Sequence, residues 1–443
     1  MSDIDPKLAN RILIGLAVGA VAGVATLLIG AVAPGVLDGA RWLANFALDP
    51  LGQVFLRLLF FVVIPLVFAS LAAGVAQLGE LKDLGPLATR TFTLFILNMS
   101  IAVALGLVMM NVVRPGDALD AETKTQLMQE YGGAAQQTVE RSAQRPSMSP
   151  QTIVDMFMPR NLFGAFVGND RNTLGEVLPL ILFAILVGAA AIRLGDTKRD
   201  EVVATLELVT RLMTGIVQFA LKLAPYAVPA MIFSVIVKVG WDIVIALGVF
   251  VLACLAVLLL HLFGTMSLWL KLWTTRRPLE FWKIVRPVLI TAFSTSSSSA
   301  TLPASLAVTR EQLGVKPTTA GFVLPLGATM NMSGTALYEG CVVLFVAQVF
   351  GVHLGWAEQG TLLVLAVLSA VAVASIPGGS LPLIAGLLVT FGIPAEGIGI
   401  ILGADRLLDM TRTAVNVGSD IVTAVIVDER TPSKPVPPPV MTG

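Results

Sequence analysis

The chain alternates long apolar runs with short polar joints. Continuous stretches rich in Leu, Ala, Val and Gly lie near Ile12–Val32, Leu56–Leu78, Thr93–Val113, Val177–Ile192, Val202–Ala227 and Ile243–Leu272. A helix of about 20 apolar residues crosses the ~30 Å hydrocarbon layer of a bilayer, and these runs reach or approach that length. They are continuous rather than alternating, which predicts helices and not the strands of a barrel. Of the 443 residues, 56% are hydrophobic and 13% charged, against roughly a quarter charged in soluble domains. Pattern and composition together predict an all-α integral membrane protein.

Lysines and arginines in the short joints set the expected orientation. Lys7 and Arg11 precede the first run, and Lys82 and Arg90 separate the second from the third. Arg193, Lys198 and Arg199 follow the fourth, while Arg276, Arg277, Lys283 and Arg286 follow the sixth. These joints share one side if the N-terminus, residues 1–10, is cytoplasmic. The polar stretch Arg114–Arg160 then lies outside as a surface loop, and the Pro-rich tail 429–443 is expected to be disordered. The start, MSDIDPKLANRIL, is polar and acidic, and the run behind it is too long for a cleavable leader, so none is expected. Short loops and no targeting sequence point to a bacterial plasma (inner) membrane. Cys254 and Cys341 sit in apolar stretches and read as small core residues rather than a disulfide. With 29 basic and 29 acidic residues the formal net charge is zero, so no nucleic acid or other polyanionic partner is expected.

After Arg286 the pattern changes. Pro287–Val308 has apolar arms on either side of the serine cluster Ser296–Ser299, each arm too short to cross a bilayer. Ala366–Phe391 repeats the design around Ser375-Ile-Pro-Gly-Gly-Ser380. Each is followed by a helix with a polar patch, Asn331–Thr335 (NMSGT) and Gly403–Asp420 (GADRLLDMTRTAVNVGSD). Hairpin then broken helix, twice, reads as an internal repeat. Non-helical backbone survives at membrane depth only where protein buries it or where it lines a watery cavity, and paired interrupted segments point to a transporter's substrate site.

The charged segment has a helical geometry. At 100° per residue, Asp405, Asp409, Arg412, Asn416 and Asp420 fall on an arc of about 80°. Leu407, Ala414 and Gly418 occupy the other side. A charge at the bilayer centre costs about 2.5–3.5 kcal/mol or more, so this face is expected to look into a cavity or the protein interior. Asp409 and Arg412, three residues apart, could also form a purely structural ion pair. The functional alternative is a pocket for a small zwitterionic or anionic solute. Arginine presents a fork to a carboxylate, and aspartate receives an ammonium group.

The motifs SSSSATLP, LPLGATMNMSGTALYEG and LLDMTRTAVNVGSD within Ser294–Asp420 resemble the dicarboxylate/amino acid:cation symporter family, which includes the glutamate transporters. The resemblance extends over nearly the whole chain. It implies eight transmembrane helices plus two re-entrant helical hairpins, inverted repeats, a homotrimer and an elevator-type movement. A scaffold within 11–240 would make the trimer contacts. A transport core at 279–428 would pack with the third and sixth spans, 88–113 and 243–272. By position, Arg412 would bind the substrate's side-chain carboxylate and Asp409 its α-ammonium. Asn416, Thr335 and backbone groups around Ser297, Ser298 and Ser299 would hold the α-carboxylate. Thr413 would help position the ligand, and the loop Ser375–Ser380, with Ile376, Gly379 and Ser380, would close over it. The implied substrate is an acidic amino acid, aspartate or glutamate. No cofactor is implied beyond the coupling cation, H+ or Na+.

The sequence departs from that resemblance in its cation sites. Sodium-driven members read NMDGT where this chain has Ser333. The partner positions on the third span read Phe95, Asn98 and Met99 instead of Tyr and a Thr-Ser pair, so this sodium site is expected to be dismantled. A second site retains Asp420 with backbone oxygens of Gly327, Asn331 and Asn416. A third draws on the backbone of Thr329 and the sulfur of Met332. Glu339 matches a proton-carrying glutamate in animal members, and a carboxylate in a low-dielectric setting is well suited to that role. A glutamate facing water at a helix end is the plainer alternative. Proton coupling is therefore expected, with sodium-coupled symport of an acidic amino acid or C4-dicarboxylate through the two remaining sodium sites as the runner-up. A further arginine usual near the ligand is absent, since its two positions hold Ser296 and Met410. Arg406, beside Asp405, is the expected replacement for charge balance.

Other classes fare worse. The two histidines, His261 and His353, are isolated, and no Gly-x-Ser-x-Gly elbow accompanies the serines, so an enzyme is not expected. No Walker sequence supports an ATP-driven pump. An ion channel remains the alternative from another class.

Overall fold

The computed structural model describes residues 6–77, 86–120, 122, 124–125, 158, 160–167, 177–372 and 380–430. The described residues contain helices and no strands. In chain order these are α1 (Pro6–Gly30), α2 (Pro34–Leu43), α3 (Asp49–Phe60), α4 (Val63–Gln77), α5 (Pro86–Val113), α6 (Leu162–Val167), α7 (Val177–Ile192), α8 (Asp196–Leu221) and α9 (Ala224–Val239). They continue with α10 (Trp241–Leu259), α11 (Met266–Trp273), α12 (Pro278–Thr295), α13 (Ser298–Ala307), α14 (Pro317–Met330), α15 (Ser333–Val349), α16 (Trp356–Ala372), α17 (Leu381–Thr390) and α18 (Ile398–Arg430). Among the described residues, five helical stretches are long and apolar enough to cross a membrane: Pro34–Gln77, Leu87–Ala118, Asp196–Ala220, Trp241–Trp273 and Pro317–Val349.

Packing follows from small residues and apolar faces. α1 runs along α9, where Gly15, Gly19 and Gly23 meet Pro225, Pro229 and Ile236. A Cβ at Gly19 would lie 2.5 Å from the Pro229 carbonyl oxygen, so the two backbones approach as only glycine allows. That small-residue spacing is the usual way helices pack when lipid removes the hydrophobic drive for association. α4 is held by α7 and α8. α5 and α10 lie against α15 and α18, and α12, α13 and α14 complete the surroundings of α18. Cys254 and Cys341 are both buried and free.

Three expectations from the pattern need correction. The run Leu56–Leu78 is divided between α3 and α4. Pro65 has no N–H for the Phe61 carbonyl, and its ring crowds that carbonyl. The run Val202–Ala227 ends in a turn at Lys222–Leu223, after which Pro225 opens α9, a helix that the run had hidden. The helix carrying Gly403–Asp420 is not broken: α18 is a continuous α-helix of 33 residues. Its polarity comes from side chains, which leave the backbone ladder intact, so the repeat is imperfect at this point. Much of the loop Arg114–Arg160, residues 1–5, the tail from 431 and the segment 373–379 lie outside the described residues. That last segment includes Ile376 and Gly379.

Candidate functional site

α18 supplies the charged face. Asp405, Asp409, Arg412, Asn416 and Asp420 are all buried. On the other side Leu407 is exposed, whereas Ala414 and Gly418 are also buried. Gly418 meets Leu262, Leu289 and Trp282. The helix is thus enclosed around most of its circumference, as a helix at the centre of a large membrane domain must be.

Two guanidiniums and two carboxylates form one cluster. Arg412 donates from Nη2 and Nε to Asp409 Oδ1 at 2.8 and 3.0 Å, and from Nη1 to Asp405 Oδ1 at 3.3 Å. Tyr338 donates its hydroxyl to the same Asp405 oxygen at 3.0 Å, and its ring lies 4.5 Å from the Arg412 guanidinium carbon. Arg406 reaches Asp409 Oδ2 from Nη1 at 3.5 Å, while its buried Nε has no partner among the described residues. The structural ion pair expected between Asp409 and Arg412 is therefore present. It is part of a larger group whose formal charges cancel. Buried ion groups of this kind contribute little net stability over apolar packing, but removing one member leaves an uncompensated charge.

A helix break faces the next turn of α18. Asn331 and Met332 leave helical geometry between α14 and α15 (φ −108°, ψ 66° and φ −94°, ψ 60°). The first N–H groups of α15 consequently lack intrahelical acceptors. Asn416 meets them: its Oδ1 accepts from the Gly334 and Thr335 amides at 2.7 and 3.4 Å, and its Nδ2 donates to Thr335 Oγ1 at 3.2 Å. Gly334 makes this fit possible, since a Cβ there would stand 2.6 Å from the Arg412 carbonyl oxygen. Thr413 donates its hydroxyl to the Asp409 carbonyl at 2.8 Å.

The serine cluster forms the turn between α12 and α13, two helices that pack on each other. Ser296 takes the left-handed conformation (φ 49°, ψ 35°) and ends α12, an arrangement uncommon for a residue with a Cβ. Ser297 caps α13 by accepting from the Ala300 amide at 3.2 Å, as serine does at helix starts. Ser298 (buried) and Ser299 (exposed) occupy the first turn of α13, whose free N–H groups suit an anion. The Ser296 and Ser380 hydroxyls are buried without partners among the described residues.

The expected cation ligands cluster around the same break. Asp420 Oδ1 accepts from Asn331 Nδ2 at 2.9 Å and lies directly against Gly327. Met332 is buried, and Thr329 is exposed with its hydroxyl turned back to the Leu326 carbonyl. Phe95, Asn98 and Met99 are buried on α5, and Asn98 Nδ2 donates to Asn331 Oδ1 at 3.0 Å. Ser333 Oγ lies 3.2 Å from Ser419 Oγ. Glu339 is not at a water-facing helix end. It lies in the middle of α15, fully buried, and neither carboxylate oxygen has a hydrogen-bond partner among the described residues.

Sequence reasoning missed Tyr338 and Ser419. Tyr338 offered a signal, being one of only three tyrosines in the chain and set in an apolar helix, where a buried hydroxyl needs a partner. Ser419 offered none, because its neighbours Asn331 and Ser333 are remote in sequence.

A profile of the sodium:dicarboxylate symporter family matches residues 8–430. A proton/sodium-glutamate symport protein of Bacillus caldotenax is 32% identical over 424 residues, spanning 95% of this chain and 94% of that protein. A proton/glutamate-aspartate symporter of Escherichia coli K12 is 27% identical over 431 residues, 96% and 93% of the two chains. C4-dicarboxylate transport protein 3 of Ralstonia nicotianae is 30% identical over 433 residues, 95% and 88%. These are transporters rather than enzymes, and the apolar helices agree with a multi-pass membrane protein. With a match from residue 8 to the end of α18, the chain belongs to the sodium:dicarboxylate symporter family.

Proposed function

We propose that the protein is a secondary active symporter that imports an acidic amino acid, L-aspartate or L-glutamate, together with protons. The observation that carries this reading is the buried cluster of Asp405, Arg406, Asp409 and Arg412 on one face of α18. Arg412 receives the substrate's side-chain carboxylate, releasing part of its hold on Asp409, and Asp409 takes the α-ammonium. The α-carboxylate falls to Asn416, Thr335 and backbone groups around Ser297–Ser299. Thr413 and the Ser375–Ser380 loop position and cover the ligand. Arg406, whose Nε has no partner among the described residues, supplies the second positive charge. A plain dicarboxylate leaves Asp409 without an ammonium partner.

Charge balance gives the reason for cation coupling. Asp405, Asp409, Asp420 and Glu339 present four carboxyl groups against the guanidiniums of Arg406 and Arg412. An acidic amino acid adds a further net negative charge, which a buried site tolerates poorly. A proton on Glu339, buried beside Ser369 and without a hydrogen-bond partner within 3.5 Å among the described residues, offsets it. The family resemblance implies an elevator-type homotrimer, which we include in the proposal together with a bacterial inner membrane, and the lysines and arginines of the short joints favour a cytoplasmic N-terminus.

One observation favours sodium as the runner-up cation. Asp420 is a buried carboxylate without a cationic partner among the described residues, beside Gly327, Asn331 and Asn416. Those oxygens fit a sodium ion, which supplies countercharge when bound. Uptake of labelled L-aspartate into proteoliposomes, under separately imposed proton and sodium gradients, decides between them. Proton-driven uptake without sodium is the expected result, and strict dependence on sodium refutes proton coupling. Ohmic current without saturable uptake or counterflow would instead indicate a channel.

A further inference from the structure

The break between α14 and α15 contains an oxygen that needs a donor or a cation. Both amide hydrogens of Asn331 are committed to α18, through Nδ2 to Ser419 Oγ at 3.1 Å and to Asp420 Oδ1 at 2.9 Å. Asn331 Oδ1 is thereby turned towards α5. Asn98 Nδ2 meets it at 3.0 Å, and both asparagines are fully buried. This bond fixes the orientation of the Asn98 amide, because the reversed amide would bring two oxygens together.

The surroundings do not suit sodium, the cation that the family name implies. A cation here would need several hard oxygens at close range. Phe95 and Met99, one turn apart on the same face of α5, offer none, and Asn98 adds one neutral carbonyl oxygen, buried without a partner among the described residues. Ser333 brings a neutral hydroxyl already engaged with Ser419, and the Asp420 carboxylate meets the Nδ2 end of Asn331 rather than Oδ1. The place beside Asn331 Oδ1 is taken by an N–H group.

We propose that the Asn98 carboxamide is a built-in substitute for a coupling cation, a positioning residue that pins the Asn331 break to α5 without sodium. The chain of contacts leads to the ligand groups. Asn331 sets the break, the break sets the Gly334 and Thr335 amides, and those amides hold Asn416. A sodium ion completes such a junction only when it binds, whereas the amide completes it permanently. The inference rests on the ligand assignment above but not on the identity of the transported cation.

An isosteric substitution tests it. Asn98→Asp removes the N–H and places a charged oxygen opposite Asn331 Oδ1, an arrangement that needs a cation between them. Binding of labelled L-aspartate to the purified full-length protein is titrated at pH 8 in choline, potassium and sodium chloride. Asn98→Asp is expected to bind about tenfold more weakly than the wild type in choline and to recover in sodium but not potassium. Asn98→Ala is expected to weaken binding in all three salts with no recovery. Wild-type affinity in choline for either variant, or weak Asn98→Asp binding that sodium does not restore in a protein with wild-type thermal stability, overturns the proposal. A wild type that itself needs sodium refutes proton coupling, and the extra sodium dependence of Asn98→Asp still reads this inference. A wild type that binds neither aspartate nor glutamate refutes the ligand assignment. Sodium-specific thermal stabilisation of Asn98→Asp alone then decides the Asn98 proposal.

Discussion

α18 carries two polar clusters within sixteen residues, and they are built differently. The first, at Asp405, Arg406, Asp409 and Arg412, consists of full charges of both signs, with one guanidinium nitrogen unpaired among the described residues. The second, at Asn416, Ser419 and Asp420, joins amides and hydroxyls of α5, of α15 and of the break before it around one carboxylate. Charges that exchange partners suit a ligand that must arrive and leave. Amides and hydroxyls that bond one another hold elements in fixed register, because breaking them leaves further buried groups unmatched beside Asn98 Oδ1, which has no partner among the described residues.

The largest expected effect comes from Arg412→Ala, which leaves Asp405 and Asp409 buried without their shared partner. Losing one member of a buried pair costs about 3–5 kcal/mol, so L-aspartate uptake should fall at least about a hundredfold. Near-normal uptake would dissolve the distinction between the clusters. Asp409→Asn should come next. Aspartate uptake should drop by about tenfold or more while inhibition by succinate strengthens, since the amide no longer repels a dicarboxylate. A parallel loss for both ligands would remove the ammonium role.

Glu339→Gln preserves size and burial but cannot carry a proton. Net uptake should then stop responding to an imposed proton gradient, measured as initial rate across a series of external pH values. An unchanged pH response would place the coupling group elsewhere. Ser419→Ala tests the second cluster. It removes one acceptor of Asn331 and one partner of Ser333, so thermal stability should fall by about 1–3 kcal/mol. Substrate selectivity should not change; if it does, the second cluster also selects the ligand. The smallest effect belongs to Arg406→Ala, whose only described ion pair is long at 3.5 Å. A severalfold rise in KM is expected, and identical transport and pH dependence would discard its charge-balancing role.

Much of this arrangement could be read from the chain, but unevenly. The helical face of Asp405–Asp420 followed from spacing alone, and its burial followed from the expense of charge in lipid. The turn at Ser296 and the break at Asn331 showed as polar interruptions between apolar arms. The uninterrupted course of α18 did not, because a cluster of polar side chains looks the same in sequence whether or not the backbone bends. α9 was concealed because Lys222 alone, between Leu221 and Leu223, is too brief a polar signal to interrupt an apolar run.

The sequence by itself determined the all-helical membrane character, the backbone interruptions at Ser296 and Asn331 and the set of residues sharing the α18 face. All three depend on local periodicity and on the cost of exposing polar groups to hydrocarbon. Only the tertiary structure decided which polar groups become partners. Tyr338 and Asp405 are 67 residues apart, and Asn98 and Asn331 are 233 apart. Such pairs depend on how whole helices pack, and hydrogen bonds act only over the few ångströms that packing brings about.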